Sequence, residues 1–400
     1  NWHLLLTQLQ YSVMDPIHYL IIYAYNYLYL QDHMNEFDNI NHKIQDILGD
    51  RSRIFIFHNG YRFDPKLEPI LAIERPSGRT ITRCKLLINK DLPSLSFTHI
   101  VQHINHSYEP LYYNMDKDYF NTLVDHTNSF IKYIIHSEKN SMDLRKIQEH
   151  GLESIHWFAN GYLCAEHWYR LYKDLRILKT QHPIKHKFIC ANRLMDNDRV
   201  YRIKFLNMLD TSQGLYSLLE NDPQTNRTPN EIYPNNQVSA SSFDSHENSS
   251  AWLDLESYYS EEYQDFYPSA WKSSFLHVVT ETVIDRQHLT EKIFKPIAMG
   301  NPFVLVGGQG SLQYLRDYGF KTFGQWWDEG YDSIEDPAER MQAVADVVNG
   351  IGNMTLLELE KLRTSMQSVL DYNYNWFYNG FADKCWRELA EQLDKTETQT

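Results

Sequence analysis

Four polar residues in the C-terminal half have the types and spacing to hold a phosphorylated ligand. Thr290, Glu291 and Lys292 stand together at the start of a helical pattern that runs to Met299. Thr290 is of a type that caps helices. A capped helix start leaves unpaired N–H groups and the positive end of the helix dipole, which suits a diphosphate. Lys292 would add a full positive charge, and Glu291 could accept hydrogen bonds from ribose hydroxyls. Arg202, in the helical pattern of residues 199–209, offers a second cation. Pro296 falls inside its helix and predicts a bend. An ordinary capped helix with a surface Glu–Lys pair would contain the same residues, so the pattern alone leaves both readings open.

Other chemistry-bearing groups are weaker signals. Gly307-Gly308-Gln309-Gly310-Ser311 lacks the Lys-Ser/Thr ending of a phosphate loop, and Gln313 stands where a dinucleotide fingerprint needs its third Gly. It reads as a tight turn feeding a helix. Asp196-Asn197-Asp198 has a D-x-D form able to hold a divalent cation on phosphates, but reads first as a turn capping the Arg202 helix, and no metal is expected. His99, His103 and His106 would share one face of a helix as a zinc set. Residues 97–104 fit a strand equally well, and a strand separates them. No G-x-S-x-G occurs, so a serine-elbow hydrolase has no support. Transfer to a hydroxyl needs a carboxylate to take its proton. Glu74, at the end of the strand-like run Ile70–Ile73, is the first candidate. Glu166, among His156, Trp157, His167 and Trp168, is the second. The aromatic run Trp157–Tyr162 suits either a stacked sugar or a core.

Thr290-Glu291-Lys292, placed after Glu281 and before Gly300-Asn301-Pro302-Phe303, resembles the donor motif of the α1,3-fucosyltransferases. Arg202, Phe205, Leu206 and Leu209 repeat that family's R-x-x-F-L-x-x-L spacing behind a strand over Phe188–Ala191. Glu74-Arg75-Pro76 is similar to its E-S-P, with Arg in the middle position. The likeness covers residues 185–325. The runs Gly319–Phe323 and Asp328–Asp332 are also similar to phage-type glycosyltransferase-like proteins. The resemblance implies a GT-B architecture of two Rossmann-like domains. It implies inverting, metal-independent transfer of a sugar, such as fucose from a GDP donor, to a glycan hydroxyl. It places Arg202 and Lys292 on the diphosphate and Glu291 on the nucleotide's sugar, with no cofactor beyond the nucleotide-sugar donor. Two other readings stay open: a phage-type enzyme that glycosylates DNA bases, and a non-catalytic glycan-binding protein.

The elements that must position these groups alternate between apolar runs and helical patterns, which argues an α/β fold with largely parallel strands. Strands are expected at residues 53–58, 70–73, 85–88, 187–191, 275–280 and 302–306. Helices are expected at 119–136, 162–178, 199–209, 290–299, 311–318, 356–370 and 381–393. Residues 221–250, rich in Asn, Ser and Pro, read as a long loop. These boundaries give an acceptor-side domain over 1–183, a nucleotide-sugar-binding domain over 184–393 and a polar tail over 394–400. The net charge of −14 weighs against nucleic acid or an anionic membrane as partner. Four cysteines without CxxC spacing read as reduced and cytoplasmic. Residues 14–30 are too polar and short for a bilayer span, which needs about 20 apolar residues; they read as a buried helix capped by Asp15. The sequence begins at Asn1 without Met, which is compatible with a preceding segment.

Overall fold

The computed structural model describes residues 36–49, 52–58, 70–73, 82–86, 101–107, 110–111, 132–149, 151–169, 183–240 and 268–398. The expected helix over 14–30, and Glu74, lie outside them. The chain is a mixed α/β protein with two sheets. The first contains β1 (Ser52–His58), β2 (Ile70–Ile73), β3 (Thr82–Leu86), β4 (Val101–Asn105), β5 (Lys132–His136) and β6 (Glu153–His156), in the order β2-β3-β1-β4-β5-β6. Strands β1, β4, β5 and β6 run parallel, whereas β3 is antiparallel to both neighbours.

The second sheet contains β7 (His186–Cys190), β8 (Leu215–Tyr216), β9 (Ser274–Thr280) and β10 (Phe303–Val306). Its order is β10-β9-β7-β8, and every pairing is parallel. All residues of β9 and β10 are buried. That is why they read as unbroken apolar runs rather than alternating ones. Helices Val200–Leu206 and Glu291–Met299 make two of the crossovers. The second ends at Gly300, whose φ of 68° supplies the left-handed C-cap.

Several boundaries differ from the sequence reading. Residues 119–136 were expected to be one helix, but Lys132–His136 is strand β5. Its Ile134-Ile135 pair is β-branched and fully buried between parallel neighbours. Strand β4 takes the extended alternative for residues 101–105, so His103 and His106 do not share a helix face. The helix Pro337–Gly352, capped by Asp336 with Pro337 in its first turn, has no counterpart in the expected elements. Within the expected loop over 221–250, Pro229–Ile232 forms a short helix with a Thr228–Glu231 capping box. The last helix continues past Leu393 to Thr398.

The two sheets share one continuous core. Phe158 stacks on Tyr314 with ring centroids 4.7 Å apart and meets Phe294 at 5.5 Å; Phe294 stacks on Phe377 at 5.6 Å. The aromatic run Trp157–Tyr162 therefore packs this junction. The helix Ala382–Thr398 returns to the first sheet, where Gln392 accepts from the His156 amide and donates to the His156 carbonyl. No helix among the described residues is long and apolar enough to cross a membrane.

The turn after β10 lies against the loop after β9. A Cβ added at Gly308 would fall 2.0 Å from the Arg286 carbonyl oxygen, a backbone atom that cannot swing aside. Gly308→Ala is predicted to destabilise the fold by about 3 kcal/mol, the upper end for overpacking. Unchanged chemical-denaturation midpoints would contradict this contact.

Candidate functional site

Strand order in the second sheet reverses between β7 and β9, since β8 lies on one side of β7 and β9 on the other. In open parallel sheets the carboxyl ends at such a switch point form a crevice that binds ligands. Three of the expected donor residues surround this point, and the fourth, Glu291, adjoins them. Glu281, the residue after β9, is fully buried. Its carboxylate accepts the Thr290 amide at 3.2 Å and the Thr290 hydroxyl at 2.5 Å. Lys292 donates to Thr290 Oγ1 at 3.1 Å and to Glu291 Oε1 at 2.7 Å. Arg202, 3% exposed, donates to the Leu194 carbonyl at 2.9 Å and to the Glu281 carbonyl at 3.1 Å. Tyr201 donates to that same Glu281 carbonyl.

Two details depart from the sequence reading. Thr290 occupies the N-cap of Glu291–Met299, but its side chain accepts no capping hydrogen bond from that helix's backbone; its hydroxyl donates to Glu281 instead. Arg202 faces backbone carbonyls, so its charge lies beneath the crevice. Burial alone would raise the Glu291 carboxyl, but Lys292 and Lys295 outweigh it and hold the group down to about 2. Burial raises Glu281 despite the pull of Lys292. The site therefore contains one firmly ionised carboxylate beside its lysine and one that resists ionisation.

The competing motifs resolve into structural roles. Asp196 accepts its neighbour's amide from Asn197 and pairs with Arg227 at 3.0 Å, as the cap of the turn leading to Arg202. After the Gly307–Ser311 turn, the Leu312 and Gln313 amides are taken by the Asp332 carboxylate at 2.8 and 3.0 Å. Asp332 thus occupies the place where a phosphate would bind. No group of three or more metal-ligating residues occurs among the described residues. Glu166 lies in the π-helical turn Cys164–Trp168, where its charge acts on Tyr162.

The loop that leaves the cluster leads to groups the sequence reading missed. The loop from Glu281 to Thr290 crosses to the carboxyl ends of the first sheet. Gln287 and Lys139 exchange backbone hydrogen bonds at 2.9 and 3.3 Å, and His288 Nδ1 meets Ser137 Oγ at 3.0 Å. Glu138, two residues past β5 and 1% exposed, accepts the Leu111 amide at 2.5 Å through Oε1. Its Oε2 has no hydrogen-bond partner of normal geometry among the described residues, although the Ser141 hydroxyl lies close enough to favour the ionised carboxyl. Burial pushes Glu138 up to about 7, against the pull of Arg286. Glu138, His136, His156, Gln287, Tyr314 and Gln392 help line a cleft of about 640 Å³, to which Arg202, Thr290, Glu291 and Lys292 contribute no wall. A strand-end acidic residue after Tyr133-Ile134-Ile135 was the available signal; reading that stretch as helix concealed it.

Comparison with protein-family models and with curated proteins gave no match.

Burial holds four histidines neutral: His136 at about 4, and His156, His277 and His288 at about 3. Each binds a proton more readily unfolded, so its contribution is complete above pH 6.5 and is lost as pH falls toward 3–4. Glu138, raised to about 7, and Glu281, also raised by burial, act oppositely and offset part of the loss. Four groups outweigh two, at about 1.4 kcal/mol per pH unit for each net proton. The melting temperature is predicted to fall from pH 6.5 to 5, and less steeply in His277→Gln. A flat profile would contradict these buried neutral rings.

Proposed function

We propose that the chain is a glycosyltransferase of GT-B type, in which two Rossmann-like halves face each other across the cleft. The observation that carries this reading is the pairing of two sites. A cation-bearing cluster lies at the switch point of the second sheet, and a buried carboxyl with one unpaired oxygen lies at the strand ends of the first.

In this reading the nucleoside diphosphate of a sugar donor lies over Lys292. The cluster's two positive charges act where the leaving diphosphate gains charge, so they favour the transition state as well as binding. The ionised Glu291 accepts hydrogen bonds from the nucleotide's ribose. A glycan hydroxyl in the cleft attacks the anomeric carbon, the bond to the diphosphate breaks, and Glu138 Oε2 takes the hydroxyl proton. A single displacement of this kind inverts the anomeric centre. A carboxyl near 7 is well matched to that task, because a base is most effective when its pKa lies near the working pH. Glu138 replaces Glu74 as the base in this account. Donors such as GDP-fucose remain the first to test.

Two variants separate the roles. Glu138→Gln is predicted to keep nucleotide affinity while turnover falls by about 10²–10⁴-fold. Lys292→Ala is predicted to weaken nucleoside diphosphate binding and lower turnover together. A panel of nucleoside diphosphates and their sugars should raise the melting temperature of the wild type by mass action. No shift with any nucleotide, alongside a shift with free glycans, would point instead to a binding protein.

A further inference from the structure

Arg286 is the cation of the loop that joins the two sites, and among the described residues it pairs with Asp143 and Glu138 on the first sheet's side as well as with its own neighbour Asp285. One terminal nitrogen, Nη1, donates to the Leu111 carbonyl, pairs with Asp143 at 2.8 Å and lies 3.5 Å from Glu138 Oε1. The other, Nη2, pairs with the neighbouring Asp285 at 2.8 Å. The Arg286 and Glu138 side chains are 10% and 0% exposed, so little solvent screens them. Arg286 stands five positions after Glu281 in the sequence, and Thr290 follows four later. The segment that forms the switch-point cluster therefore also delivers the charge that reaches Glu138.

We propose that Arg286 is a positioning residue that makes Glu138 a base, reaching from the second sheet's loop to hold that carboxyl ionised while the two sheets' ends are together. The inference deepens the transferase reading and rests on it for its catalytic meaning. The electrostatic link itself stands on the geometry. The groups that act on the Glu138 carboxyl are Arg286 from the second sheet's loop, the Leu111 amide, and Ser141 and Asp143 at and beside the start of the helix Met142–Glu149. His136 and Lys139 flank it on the chain leaving β5, and His288 lies on the facing loop, where it meets Ser137. The histidines are neutral where their shifts are resolved, and Lys139 is drawn to Asp317 and the Tyr314 ring. Arg286 is thus the cation that bears on Glu138, and Asp143 is the anion that opposes it. Without the guanidinium, burial would leave the carboxyl protonated at neutral pH, and a protonated carboxyl cannot accept the acceptor's proton. Removal of the loop from the first sheet would disarm the base, which would suppress loss of the donor to water before the site is assembled.

The test is a titration of the Glu138 carboxyl in the full chain, by isotope-edited infrared spectroscopy with Glu138→Gln used to assign the band. Arg286→Met is expected to raise the midpoint by at least one pH unit, Arg286→Lys to leave it within half a unit of wild type, and Asp143→Asn to lower it. Melting curves confirm that each variant is folded. A midpoint unmoved in folded Arg286→Met, or moved in the same direction by Asp143→Asn, overturns the proposal. In active preparations the acidic limb of the kcat profile should move with the midpoint. A moving midpoint with no transfer from any nucleotide sugar would sustain the link and sink the transferase reading.

Discussion

The buried Glu281 carboxylate is the constraint on which the rest of the structure turns. It ends the central parallel strand and takes both polar hydrogens of Thr290, which starts the next crossover helix. A carboxylate removed from water is costly unless each oxygen is satisfied and a cation stands near. Thr290 supplies the hydrogen bonds and Lys292 the charge. The nine-residue step from Glu281 to Thr290 is thereby closed into a loop of fixed ends. Its middle must bulge outward, and it does so against the first sheet. Tyr201 and Arg202 tie the same point to the neighbouring crossover through the Glu281 carbonyl. One carboxylate thus joins two crossovers, closes a loop and sets the height of Lys292 above the strand ends.

The seam between the sheets follows from that closure. Arg286, Gln287 and His288 form consecutive contacts with Glu138, Lys139 and Ser137, the residues leaving β5. The contacts differ in kind: an ion pair, a backbone ladder and a side-chain hydrogen bond. Gly308 admits the loop because it has no side chain, and Gly310, at φ 77°, continues the turn beside Gln287. Beneath the seam, the aromatic stack of Phe158, Tyr314 and Phe294 fixes the spacing. A polar cleft floored by a rigid apolar junction can keep a buried polar group beside it without the surroundings collapsing onto that group. Glu138 Oε2 is such a group, buried at the cleft wall.

Strands β7, β9 and β10 of the second sheet were legible in the sequence as apolar runs, and β9 and β10 are buried throughout; the two-residue, half-buried β8 carries no such run. The cluster residues Arg202, Thr290, Glu291 and Lys292 could be named from type and spacing. Their partners could not, since Glu281 is an ordinary acidic residue until the fold buries it. The first sheet was harder to read. Its β5 stretch carries enough polar residues to imitate a helix, and only pairing with β4 and β6 makes it extended. That misreading hid Glu138, whose importance lies in its place at a strand end and not in any local motif. The D-x-D and glycine-rich patterns failed for the opposite reason: local spacing invited a ligand, while Arg227 and Asp332 occupy it from afar.

On the transferase reading a nucleoside diphosphate lies at the β7–β9 switch point, with Glu138 at the strand ends of the first sheet. A crystal structure of the chain soaked with a nucleoside diphosphate decides this. Phosphate oxygens are expected within hydrogen-bonding distance of Lys292 Nζ, the ribose beside Glu291, and the transferred sugar directed toward Glu138. Density for the nucleotide elsewhere, or a switch-point cluster left unchanged at saturating nucleotide, would contradict it.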